Sequence, residues 1–162
     1  MKRILCLILA AVLLLSLCAC YGQAENKPEF YYLRSADSYQ YNSSQPVIVP
    51  DDRNIQSGGD DLAYSLQLYL EGPVGEKLTS PFPEGLRLEG LIQEKDCLII
   101  SLSPEYMTLE GIGLTLAGAC LAKTCFSLSE VSRIRIQCGT KTWEYHRDSF
   151  LFTDSGASQP TE

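Results

Sequence analysis

Residues Leu86 to Leu102 read LRLEGLIQEKDCLIISL, and this pattern decides the fold class. Leu86, Leu88, Gly90 and Ile92 alternate with Arg87, Glu89, Leu91 and Gln93, which is the period of a strand with one face buried and one in water. Glu94 to Asp96 reads as a turn, and Cys97 to Leu102 follows without a charge, as in a strand buried on both faces. The two segments pair as a hairpin.

Downstream, Ser103 and Pro104 open a short helical turn, and a main helix is expected from Thr108 to about Thr124. Only Glu110, Thr115, Lys123 and Thr124 break its apolar run, which contains Gly111, Gly113 and Gly118. A glycine inside a helix costs about 1 kcal/mol relative to alanine, so tertiary packing must hold this one, with close contact to the sheet. Ile134, Ile136 and Cys138 then alternate with Arg133, Arg135 and Gln137, and Gly139-Thr140 fits a two-residue turn before Lys141 to Tyr145. Phe150 to Phe152 reads as a last packed segment.

Upstream, Phe30 to Leu33 reads as a first strand, Ser35 to Gln45 as a polar loop, and Val47 to Val49 as an edge segment ended by Pro50. Asp60 or Asp61 can cap a helix whose stripe is Leu62, Leu66 and Leu70 and which Gly72 and Pro73 end. Pro81, Pro83 and Gly85 make a rigid connection into Leu86. With 162 residues there is room for one core. The expected class is α+β: a small mixed or antiparallel sheet of about five to six strands packed by two main helices, over residues 30–152.

The amino terminus carries an address. Lys2 and Arg3 precede an apolar run from Ile4 to Leu17, shorter than the roughly 20 residues that span a bilayer, so a cleaved secretory signal over residues 1–19 is expected. Leu17, Cys18, Ala19 and Cys20 are similar to the lipobox of bacterial lipoproteins. Cys20 is the expected lipidation site, its thiol taking up diacylglycerol, and two acyl chains would hold the protein on the extracytoplasmic face of the cell membrane. Residues 20–29 read as a polar tether and 153–162 as a disordered tail.

The formal charge is −7; loss of Lys2 and Arg3 leaves 11 basic against 20 acidic residues, or −9. Nucleic acid is excluded as a partner, since phosphate binding needs clustered Lys and Arg. Once Cys20 is acylated and Cys6 and Cys18 are cleaved off, Cys97, Cys120, Cys125 and Cys138 remain. They allow two disulfides in three pairings, but each sits in an apolar stretch, which favours buried free thiols. Cys120 and Cys125 are too far apart around a helix to share a metal easily, so no metal is expected.

Catalytic signatures are absent: no G-x-S-x-G elbow, no phosphate loop followed by Lys, no H-E-x-x-H. His146 is the only histidine, beside Arg147 and Asp148, where a solvated or structural role is favoured over that of a base. Asp51-Asp52 and Asp60-Asp61 lack calcium-loop spacing. Arg53 favours a salt bridge within its loop over a partner's carboxylate. Tyr31 and Tyr32 suit strand packing, Tyr39 and Tyr41 of the loop invite a binding role, and Trp143 reads as core.

Several phrases together resemble the GerMN domain of the spore-germination GerM family. They are Phe30-Tyr31-Tyr32-Leu33, Val49-Pro50-Asp51-Asp52-Arg53, Leu70-Glu71-Gly72-Pro73, Ser80-Pro81-Phe82-Pro83-Glu84-Gly85, Ser101-Leu102-Ser103-Pro104-Glu105-Tyr106 and Val131-Ser132-Arg133-Ile134-Arg135-Ile136. The resemblance implies a non-catalytic module, without cofactor, on secreted proteins and lipoproteins, related in fold to ring-building domains of sporulation. The expected function is a membrane-anchored interaction or assembly module contacting envelope proteins or itself; the alternative is an extracytoplasmic receptor for a small molecule or cell-wall fragment.

Overall fold

A computed structural model describes residues 28–38, 45–53 and 62–150. The expected signal peptide, the lipidation residue Cys20, most of the tether, Tyr39, Tyr41, Asp60, Asp61 and the tail lie outside the described residues.

The elements run β1 (Tyr31–Arg34), β2 (Ile48–Pro50), α1 (Leu62–Leu70), β3 (Leu78–Thr79), β4 (Leu88–Glu94), β5 (Cys97–Leu102), α2 (Gly111–Leu128), β6 (Arg133–Cys138) and β7 (Lys141–His146). The α+β class is as expected. The single sheet of five to six strands is corrected to two sheets: three strands in the order β2-β1-β3, and four in the order β4-β5-β6-β7. The division arises because β1 takes both partners from its own half of the chain, pairing Tyr32 with Val49 and Leu33 with Thr79.

Both expected hairpins form, β4 with β5 and β6 with β7, and they meet through a parallel β5–β6 pair that sets Leu98 beside Ile134 and Ile100 beside Ile136. Parallel neighbours need a crossover, and α2 supplies it. Asp96, in the β4–β5 turn, pins the register: its carbonyl accepts from Arg133 N at 3.1 Å and its carboxylate from Ser132 N at 2.8 Å and from the Ser132 hydroxyl. These bonds also hold the Asp96 carboxyl below the usual carboxylate range.

The expected alternation in β4 fails at one point. The pairing shifts between Leu88 and Gly90, so that Leu88 faces Leu102 but Gly90 faces Ser101. One extra residue reverses the side-chain sense beyond it. Leu91, expected outside, packs on the core; Ile92, expected inside, is 58% exposed.

Pro104–Thr108 forms the expected helical turn, but α2 starts at Gly111 and ends at Leu128 rather than spanning Thr108 to Thr124. Leu109 and Glu110 are extended, and Gly111 has φ +54, which separates turn from helix. The helix continues past Thr124 because Cys125 and Phe126 are buried. α2 is apolar and long enough to cross a membrane by composition, yet Ala117, Cys120, Leu121, Ala122 and Cys125 are buried inside the domain.

Both helices pack on the sheet face that carries Leu98, Ile100, Ile134 and Ile136, and Phe30, Tyr32, Leu66 and Tyr69 join the same core. The small side chains of α2 act at one site. A Cβ added at Gly118 would fall inside contact distance of the Tyr145 hydroxyl and 2.7 Å from its Cζ, whereas one at Gly113 would meet nothing within 4 Å. Gly118→Ala should therefore cost about 1–3 kcal/mol through overpacking, while Gly113→Ala should gain up to ~1 kcal/mol; denaturant unfolding of both variants checks the contrast.

Candidate functional site

The residues singled out in the sequence are distributed by the fold into structural posts and one open face. Asp51 is buried at 6% exposure, accepts from Val74 N at 3.2 Å and lies 3.6 Å from Arg53 Nε. Arg53 donates to Gly72 O at 2.6 Å and to Leu68 O at 3.4 Å, and its guanidinium stands 5.5 Å from the Phe30 ring centre. A cation at the carboxyl end of a helix satisfies its last carbonyls and complements its dipole. The expected salt bridge is present, and its larger effect is to close α1.

Arg147 repeats the device on α2. It donates to Ser129 O at 2.5 Å and to Val131 O at 2.9 Å, and stacks 5.0 Å from the Phe126 ring centre. Sequence reading missed this residue; its signal was an arginine following a strand that returns to the end of the preceding helix.

Tyr31 and Tyr32 pack as expected. Tyr32 is fully buried and donates to Tyr69 O at 2.7 Å, and Tyr69 donates to Tyr31 O at 2.7 Å. Burial pushes both buried phenols, of Tyr32 and Tyr69, upward in pKa. Tyr31 donates to Glu29 Oε2 at 2.6 Å, and its ring lies 4.4 Å from Lys123 Nζ. Trp143 is half-buried, edge-on to Tyr106 at 5.4 Å.

All four remaining cysteines are buried and free, as expected. Burial raises the Cys120 thiol to about 12 and raises Cys125 and Cys138 as well, so these thiols stay protonated and unreactive near neutral pH. His146 is 57% exposed on the outside of β7, with Nε2 3.5 Å from Glu144 Oε1. Cys97 shares its row of the sheet, but Arg133 on β6 stands between them. Two strand spacings, roughly 10 Å, exceed the reach of a nucleophile and its base.

The open face is the side of the four-stranded sheet opposite the core. One row across it runs Ile92, Ile99, Arg135 and Glu144; the next runs Glu94, Cys97, Arg133 and His146. Glu144 collects Arg135 at 3.1 Å, Arg133 at 3.8 Å and His146, while Ile92 stands exposed at the other end. The outward turn of Ile92 was hidden by the bulge. Among the described residues no group of three or more His, Cys, Asp or Glu side chains could hold a metal.

Most of the phrases behind the resemblance prove to be scaffold, while Arg133 and Arg135 of the last one stand on the open face. Gly72, with φ +107, ends α1; Ser80 Oγ accepts from Phe82 N at 3.2 Å in the Pro-rich connection; Ser103, fully buried, accepts from Arg87 N at 2.9 Å through its hydroxyl. They thus define a class of small α+β domain, two sheets on two helices with arginine-closed helix ends. A family model named Germane, described as sporulation and spore germination, matches residues 29–142, and the chain belongs to this family. Comparisons with curated proteins and with solved structures return no match.

Removing Arg53 takes the ion-pair partner from the buried Asp51 carboxylate and the side-chain donor from Leu68 O and Gly72 O at the end of α1. Arg53→Ala should cost about 1–3 kcal/mol in denaturant unfolding, and Arg53→Lys, which lacks the planar fork, should restore only part of it.

Proposed function

We propose that this protein is a non-enzymatic interaction module, held on the extracytoplasmic face of the cell membrane by a lipid on Cys20, which joins envelope proteins or further copies of itself in sporulation or germination. The observation that carries the reading is the open sheet face, with an isoleucine at 58% exposure on its β4 edge and shared ion pairs across β6 and β7. A buried apolar anchor rimmed by polar groups is the usual anatomy of a protein interface. Family membership supports the process, and the similarity of Leu17 to Cys20 to a lipobox supports the anchor. The solvated His146, remote from any thiol, supports a role without catalysis.

An extracytoplasmic receptor for a small molecule or wall fragment is the second reading. The groove of about 370 Å³ beside β2 and α2 favours it by size.

The anchor is tested by Cys20→Ser, which should move the protein from the membrane fraction to the soluble or secreted fraction; unchanged membrane retention would refute it. Proximity crosslinking of the membrane-held protein in vegetative and sporulating cells tests the module. Reproducible capture of envelope proteins or of a second copy in sporulating cells is expected. A small molecule copurifying with the protein, with no protein captured, would favour the receptor.

A further inference from the structure

A groove runs along the outward side of α2, on the helical side of the domain and away from the open sheet face. Leu116 and Ala119 form its floor, Val47 and Ile48 one wall and Phe150 the other, Lys123 stands at one end, and about 370 Å³ is enclosed. Leu116 and Lys123 are seven residues apart on the helix, a rise of about 10 Å, so the groove is an elongated apolar trough with one cation at its end. That size and lining suit a small ligand with an apolar body and a single polar group.

Two features decide what it takes. The first is the β2 edge, which disfavours an extended peptide. Arg34 N donates to Val47 O at 2.9 Å and Asp51 N to Phe30 O at 2.7 Å, so residues 47, 49 and 51 face β1, and Pro46, Ile48 and Pro50 face outward. Proline has no N–H, which leaves Ile48 as the one outward donor of the described edge, too few for strand addition. The second feature is charge. Lys123 Nζ sits 4.4 Å from the Tyr31 ring centre, a contact that holds the ammonium at the end of the groove without neutralising it. The Glu29 carboxylate accepts from the Tyr31 hydroxyl at 2.6 Å, and among the described residues Lys123 joins none of the ion pairs. We propose that the groove binds a single-chain anionic amphiphile, its hydrocarbon tail lying between Val47, Leu116 and Phe150 and its carboxylate or phosphate head meeting Lys123. The whole chain, at −7, repels anions, so a preference for an anionic head reports Lys123 locally. This names the ligand class of the receptor reading and rests on that reading; the open sheet face and its partner are independent of it.

Photolabelling of the full-length, membrane-held protein tests it, with three probes that share an eight-carbon tail bearing a diazirine: octanoate, octylamine and octanol. The octanoate probe should label groove residues about tenfold more than either of the others, the preference that ~1.4 kcal/mol of charge-assisted bonding gives. Lys123→Gln should remove that preference and Lys123→Arg should keep it. Ala119→Phe, which fills the groove from its floor and leaves the charge in place, should suppress labelling by all three. Equal labelling by the three probes would overturn the anionic ligand while leaving a receptor for apolar chains; labelling of the groove by none of them would overturn both. Labelling by a diacyl phosphatidylglycerol probe in the membrane, but not by octanoate, would also overturn the proposal and assign the face to the bilayer.

Discussion

Parallel pairing of β5 with β6 is the constraint from which the rest of the structure follows. Two strands of one direction cannot be joined by a turn, so the chain must leave the sheet and return, and the returning segment must bury a face against the strands it joins. α2 does this with a helix poor in bulky side chains. At Gly118 the backbone comes close enough for Tyr145 to lie against it, and the core closes around Leu121, Ile134 and Ile136. Asp96 and Ser132 lock the start of the parallel pair where the crossover ends. The first sheet then packs on α2 through β1, with Tyr31 N donating to Thr124 Oγ1 at 2.9 Å and Glu29 N to Ser127 Oγ at 2.8 Å.

Much of this was legible in residue order. The two hairpins, the continuous apolar β5, the two helices and the buried thiols follow from period and composition, because hydrophobic burial is what period records. Three things were not. The split into two sheets depends on which strands β1 selects, and that is a long-range choice invisible in local pattern. The bulge in β4 depends on one unpaired residue, and it exchanged the fates of Leu91 and Ile92, so the exposed isoleucine that matters most to the functional reading was assigned to the core. The closure of each helix by a distant arginine is likewise a matter of tertiary placement, although Arg53 was already read as serving its own loop.

The family phrases carry a lesson about function. Asp51, Arg53, Gly72, Ser80 and Ser103, all in the phrases that resemble the family, stabilise turns and helix ends. One phrase also reaches the surface: Arg133 and Arg135, which alternate with the buried Ile134 and Ile136, stand on the open face of the four-stranded sheet. That face combines an apolar side chain, two arginines and one glutamate that both arginines and His146 share. Such a face suits docking to a protein surface better than binding a small molecule, which calls for concavity.

The most direct measurement places a photo-crosslinking residue at position 92 on the open sheet face and, separately, at Val74, which is 72% exposed and lies elsewhere on the domain. Both variants are to be irradiated in sporulating cells with the anchor intact. The account expects a discrete protein adduct from position 92 and none from position 74. Adducts from position 74 alone, or the same background from both, would contradict it.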